Sequence, residues 1–91
     1  MITAIVLINA EANLIAETAQ AVADTPGVGE VYSCAGDIDL IAIVRCRDHE
    51  EIAGVVTGGI NKVTGVLATT THIAFKAYSR ADVEGAFSIG E

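Results

Sequence analysis

The sequence predicts a single α+β domain of the ferredoxin-like βαββαβ kind, an antiparallel sheet with two helices on one face, which assembles with copies of itself. Three observations lead there. Four apolar, β-branched segments are interleaved with two amphipathic stretches in the order βαββαβ. A short echo, Asp24-Thr25-Pro26-Gly27-Val28 against Lys62-Val63-Thr64-Gly65-Val66, closes each amphipathic stretch, with Gly27 and Gly65 38 positions apart, so two βαβ units follow one another. Finally, 52% of the 91 residues are hydrophobic but only 4% aromatic, whereas a chain this short buries only about 60–65% of its unfolded surface when it folds alone.

The first strand is Ile2 to Asn9 (ITAIVLIN), a nearly unbroken apolar run of the kind covered on both sides. From Asn13 to Asp24 a helix is expected, with Ile15, Ala19 and Val22 on one stripe. Pro26-Gly27 ends it, because proline disfavours a helical residue before it and glycine permits the reversal. Val28 to Ala35 is the second strand and Ile38 to Cys46 the third, joined by a tight turn at Gly36-Asp37. That register pairs Cys34 with Asp39 and sets Cys46 opposite the Gly27 region, so Cys34 and Cys46 are expected as free thiols. A second helix begins at Asp48, an N-cap carboxylate followed three residues on by Glu51, with Ile52, Val55, Val56 and Ile60 as its stripe. Gly54, Gly58 and Gly59 are expected to mark close packing on the sheet or a frayed last turn. Leu67 to Ala77 reads as the fourth strand.

In the split βαβ arrangement the first and third strands lie centrally and the second and fourth at the edges. Both helices then cover one face of the sheet, and a second subunit is the natural cover for the other. Residues 1–78 form this domain. The tail 79–91 is expected to hold a short helix from Ser79, with Phe87 and Ile89 docking on a neighbour.

Charge excludes several function classes. Twelve acidic residues against five basic ones leave a net charge of −7, and Arg45, Arg47, Lys62, Lys76 and Arg80 are scattered. Direct binding to a nucleic-acid backbone needs a basic patch. No apolar run approaches the ~20 residues of a membrane span, and Met1 leads straight into a strand without a secretory leader, so a cytosolic protein is expected. Catalysis finds no support either. His49 and His72 have no ligand-spaced partners, Ser33 and Cys34 lie in no nucleophile motif, and Gly54 to Gly59 lacks the lysine of a phosphate loop. No cofactor or metal is expected.

Two polar features stand out. In Gly36-Asp37-Ile38-Asp39-Leu40, Asp39 precedes an apolar strand, where a carboxylate is costly to bury without a donor or cation. A ligand could supply that partner; turn N–H groups or water could do so as well. Thr69-Thr70-Thr71-His72 offers hydroxyls on the fourth strand, or is simply a polar edge.

The order of elements, the Pro26-Gly27-Val28 after the first helix, the G-D-x-D-L turn at Gly36 to Leu40, Asp48-His49-Glu50-Glu51 and the Thr64-Gly65-Val66 before a TTTH strand together resemble the effector-binding (RAM) domain of the Lrp/AsnC, or feast/famine, transcriptional regulators. The resemblance covers Ile2 to Tyr78 and is nearest to stand-alone members without a helix-turn-helix. It implies a non-enzymatic module that dimerises through its sheets, forms rings of dimers and binds an amino-acid effector between dimers. Carried over, the site comprises Ser33, Cys34, Ala35, Gly36, Asp37, Ile38 and Asp39, faced by Thr69, Thr70, Thr71 and His72 of a neighbouring dimer. Because the first strand starts at Ile2, the chain is not expected to bind an operator unaided, and would act on transcription through full-length relatives. Two other readings fit the same fold. One is a small dimeric α+β barrel enzyme of the monooxygenase kind, with Tyr32, Tyr78, His49 and His72 as its available groups. The other is a ligand-free structural adaptor.

Overall fold

A computed structural model describes residues 1–80; the expected helix and docking residues of the tail lie outside them. The elements are β1 (Ile2–Ala10), α1 (Ile15–Ala23), β2 (Val28–Ser33), β3 (Leu40–Cys46), α2 (His49–Gly58) and β4 (Val66–Ala74), with 3-10 turns at Ala12–Leu14 and Ile60–Lys62. The sheet order is β2-β3-β1-β4, every neighbouring pair antiparallel. As expected, the two most apolar strands are central.

Strand alternation divides the sheet into two unlike faces. Ala4, Val6 and Ile8 of β1 pair with Val44, Ala42 and Leu40 of β3, and all six are fully buried. Val22 of α1, Ile52 and Val56 of α2, and Ile60 pack on them in one cluster. Burying a Val, Leu or Ile side chain contributes about 1.5–3 kcal/mol, so this layer is the main source of stability. The stripe Ile15, Ala19, Val22 faces this core as the spacing requires, and Thr18, with 1% exposure, joins it by donating its hydroxyl to the Thr64 carbonyl at 3.2 Å.

Among the described residues no helix covers the opposite face. Across it run the rows Glu30–Ile43–Ile5–His72 and Tyr32–Ile41–Leu7–Thr70. Ile5, Leu7, Ile41 and Ile43 are half-buried at its centre, and Tyr32 is 53% exposed.

The Asp24–Val28 and Lys62–Val66 echo has a shared cause. Gly27 (φ 98°) and Gly65 (φ 99°) both take the left-handed conformation that glycine alone adopts cheaply. Each also passes close to a helix side chain, Gly27 to Val55 and Gly65 to Thr18. The second helix is capped as expected, with Asp48 Oδ1 accepting the Glu51 N–H at 2.8 Å. The Glu51 carboxylate reaches back one residue further, to the Arg47 N–H at 3.2 Å.

Several boundaries differ from expectation. The first helix opens with a 3-10 turn and becomes α-helical only from Ile15. β2 stops at Ser33 and β3 starts at Leu40, leaving Cys34 to Asp39 as the connection. β4 ends at Ala74 rather than Ala77: Thr3–Ala74 is its last pair with β1, its one neighbour among the described residues. Gly54 and Gly58 do not pack closely: a methyl group on either would meet nothing within 4 Å. Close approach is confined to Gly59, whose Cβ position lies 2.6 Å from Thr25 Cγ2.

Candidate functional site

The Cys34–Asp39 connection is strapped to the end of β1. The Cys34 N–H donates to the Asp39 carbonyl at 2.9 Å, the expected pairing, and the Asp39 N–H donates to the Ile8 carbonyl at 3.1 Å. Beyond Ile8, β1 outruns β3. There the Ala10 N–H donates to Asp39 Oδ2 at 2.8 Å, and Asn9 Nδ2 donates to the Asp37 carbonyl at 2.9 Å. The carboxylate that looked costly therefore has a backbone donor, from a neighbouring strand rather than from its own turn.

What remains open to a ligand is the outer rim of the turn. Ala35, Gly36 and Asp37 are exposed, Ser33 is exposed beside them, and Cys34, Ile38 and Asp39 are half-buried. Gly36 has φ 125° and no atom within 4 Å of a notional Cβ, so its backbone is sterically open. Among the described residues the Asp37 carboxylate makes no side-chain hydrogen bond or ion pair. Such a rim can offer a carboxylate and backbone groups to a zwitterion.

The second predicted group is split by strand alternation. Thr70 and His72 pair with Leu7 and Ile5 and stand on the open face; Thr69 and Thr71 pair with Ile8 and Val6 and stand on the helix face. Thr69 also donates its hydroxyl to Asn61 Oδ1 at 2.7 Å. In one chain β1 lies between β4 and β3, so the threonines do not face the turn.

Sequence reasoning missed Asn9 and Ala10, which hold the turn in place. Asn9, a polar residue closing an apolar strand, was a readable signal. The Ala10 N–H was not, since only register reveals it.

At the other end of the sheet the Arg45 guanidinium meets Glu30 Oε1 at 2.7 Å, and the Tyr32 hydroxyl donates to Glu30 Oε2 at 2.9 Å. Arg45, aided by that hydroxyl, holds the Glu30 carboxyl below the usual carboxylate range, and the same carboxylate pushes the Tyr32 phenol up. Both cysteines are free. Burial pushes the Cys46 thiol up, with the nearby Glu51 carboxylate adding to it.

Comparison with known proteins agrees with this architecture. A model of the Lrp/AsnC ligand binding domain family matches residues 3–83. An HTH-type transcriptional regulator of Pyrococcus horikoshii is 39% identical over 59 residues, which are 65% of this chain and 39% of the regulator. The chain thus spans well under two thirds of that relative's length. A crystal structure of a Thermus thermophilus protein superposes with a TM-score of 0.81 at 49% identity, covering 88% of this chain and 100% of that one. A transcriptional regulator of Neisseria meningitidis, solved as its L-Met complex, superposes with a TM-score of 0.76 at 15% identity, over 87% of this chain and 53% of that one; at that identity the likeness is one of fold.

Proposed function

The chain belongs to the Lrp/AsnC ligand-binding domain family, and we propose that it is a non-enzymatic amino-acid-binding module of the cytoplasm, self-associating through the open face of its sheet. The observation that carries the reading is the rim of the Cys34–Asp39 turn, held rigidly by β1 while Gly36 and Asp37 stay exposed. The Asp37 carboxylate suits an α-ammonium, and exposed backbone N–H groups suit an α-carboxylate. The L-Met complex of the Neisseria regulator supports amino acids as the ligand class.

Self-association follows from the open face. Ile5, Leu7, Ile41 and Ile43, at the centre of a face that no helix of the described residues covers, are best buried against an identical surface, and a two-fold axis makes that pairing self-complementary. Further assembly of such dimers would bring Thr70 and His72, or the hydroxyls of Thr69 and Thr71, toward a neighbour's turn. Because its relatives are HTH-type regulators, the module would influence transcription by joining assemblies of full-length relatives.

A thermal-shift screen of the twenty amino acids tests the ligand. At 100-fold its Kd a bound amino acid adds about 2.7 kcal/mol of stability, and Asp37→Ala should abolish the shift without unfolding the protein. If no amino acid moves the melting temperature, the sensor reading is lost.

A further inference from the structure

β2 lies at one edge of the sheet and β4 at the other, and the two edges are built differently. An edge strand presents a row of unpaired N–H and C=O groups that another strand can take up; shortness, bulges and charge are the usual guards against it. β2 has all three. It is six residues long, its register shifts between Val28 and Glu30, and Glu30 carries a charge tied to Arg45. β4 runs for nine residues, Val66–Ala74, without an Asp, Glu, Lys or Arg, in a chain of net charge −7. Its register shift falls at one end, beside Leu67, and Ala68 to Ala74 pair with β1 without interruption. Among the described residues β1 is its one strand neighbour.

The side chains of β4 fit a copy of themselves. Leu67 is 62% exposed and Ile73 39%, and they lie at equal distances on either side of Thr70. When two β4 strands pair antiparallel about a two-fold axis at Thr70, Leu67 of each copy falls opposite Ile73 of the other. Both exposed apolar side chains are then covered, twice over. The same register sets Thr69 opposite Thr71, Ala68 opposite His72 and Thr70 opposite itself, and brings no like charges together. An axis at Thr71 would set Ile73 opposite Thr69 and lose the apolar match.

We propose that β4 is a self-pairing edge, joining its sheet to that of a second copy as one eight-stranded antiparallel sheet centred on Thr70. The contact uses backbone groups in the plane of the sheet, so it does not rest on the open-face pairing and leaves Thr70 and His72 standing on that face. One strand pair buries less than a stable interface needs. The edge therefore links assemblies already held by the face, and lone chains in dilute solution meet through it only transiently.

Disulfide trapping of the full chain, in a Cys34→Ser background under mild oxidation, tests the proposal. Residues directly opposite in an antiparallel pair have Cα atoms about 4.5–5.5 Å apart, within disulfide reach. Sheets packed face to face stand about 10 Å apart, outside it. Thr70→Cys should therefore form a covalent dimer roughly tenfold or more faster than Ala68→Cys, whose two copies would lie about 13 Å apart along the paired strands. Ala68→Cys combined with His72→Cys should cross-link through position 68 of one copy to position 72 of the other, as peptide mass spectrometry reads directly. Leu67→Glu, at an exposed position, should slow the Thr70→Cys reaction roughly threefold or more, since both copies of the apolar pair are lost. The ratio of Thr70→Cys to Ala68→Cys should persist in a Leu7→Lys background, where the open face is charged, so failure of the face pairing and failure of the edge are read separately. Equal rates for Thr70→Cys and Ala68→Cys overturn the proposal, as do links from 68 to 68 in the double variant or a Leu67→Glu rate matching the parent's.

Discussion

Replacing Asp39 by alanine should destabilise the fold by about 2 kcal/mol whether or not any ligand is present. The carboxylate accepts the Ala10 N–H at 2.8 Å in a part-buried setting. A hydrogen bond to a charged group contributes about 1.5–3 kcal/mol, and a stranded buried donor costs about 1–3 kcal/mol. In a domain of this size each 1 kcal/mol moves Tm by about 4–8 °C, so Asp39→Ala should melt roughly 8–16 °C below the parent. Asp39→Asn keeps an acceptor oxygen and should lose about half as much. Asp37→Ala, removing an exposed carboxylate without a side-chain partner, should stay within about 0.5 kcal/mol of the parent. Calorimetry measures all three, and amide hydrogen exchange adds a local readout, since protection at Ala10 should fall in Asp39→Ala and persist in Asp37→Ala. If Asp39→Ala melted alongside the parent, or Asp37→Ala fell as far as Asp39→Ala, the strap between turn and β1 would be no part of the folded state's stability.

Two glycine substitutions should move stability in opposite directions in urea unfolding. Gly54→Ala, in a helix with open space at its Cβ position, gains about 0.8–1 kcal/mol, and Gly65→Ala, at φ 99° against Thr18, loses more than about 1 kcal/mol. Leu7→Lys, which places a charge at the centre of the open face, should leave the circular dichroism unchanged and reduce the mass seen by light scattering to that of one chain; a parent already running as a lone chain would defeat the self-association argument. Cys46 is protonated in the fold because burial raises its thiol pKa. Its contribution is therefore complete below the unfolded value of about 8.5 and is lost as pH rises toward the folded value. Stability should fall with alkaline pH, Cys46→Ala should flatten that slope, and a thiol reagent should label Cys34 well before Cys46.

Topology was legible because several signals agreed at each element. The helix stripe Ile15, Ala19, Val22, the Asp48–Glu51 cap and the Gly27 and Gly65 reversals all appear in the structure where spacing placed them. Strand ends were less legible, since pairing with a neighbour decides them; nothing in Phe75-Lys76-Ala77 announces that the ladder to β1 closes at Thr3–Ala74. The bulge between Val28 and Glu30 was invisible for a similar reason. It shifts the register near Gly29 by one residue, so the Arg45 N–H donates to the Gly27 carbonyl. Gly54 has open space where a close contact was one expectation, while Gly58 and Gly59 stand where α2 gives way to a 3-10 turn, in line with the other expectation of a frayed last turn.

The candidate site shows the same division between local and non-local information. Gly36 to Asp39 could be singled out because a carboxylate ahead of an apolar strand violates a local rule. Its resolution depends on Ala10, 29 positions earlier, and on β1 outrunning β3, which no window around the turn contains. In the Thr69–His72 group the division is local, since strand periodicity alone assigns Thr70 and His72 to one face and Thr69 and Thr71 to the other. Alternation likewise hides the two unlike faces of β1, because Ala4, Val6 and Ile8 read as apolar as Ile5 and Leu7 do. They part only when the helices arrive on one side, and the chain is then left with an apolar surface that its own 80 described residues do not cover. The self-association proposed above therefore depends on this uneven division of apolar residues between the two faces of one sheet.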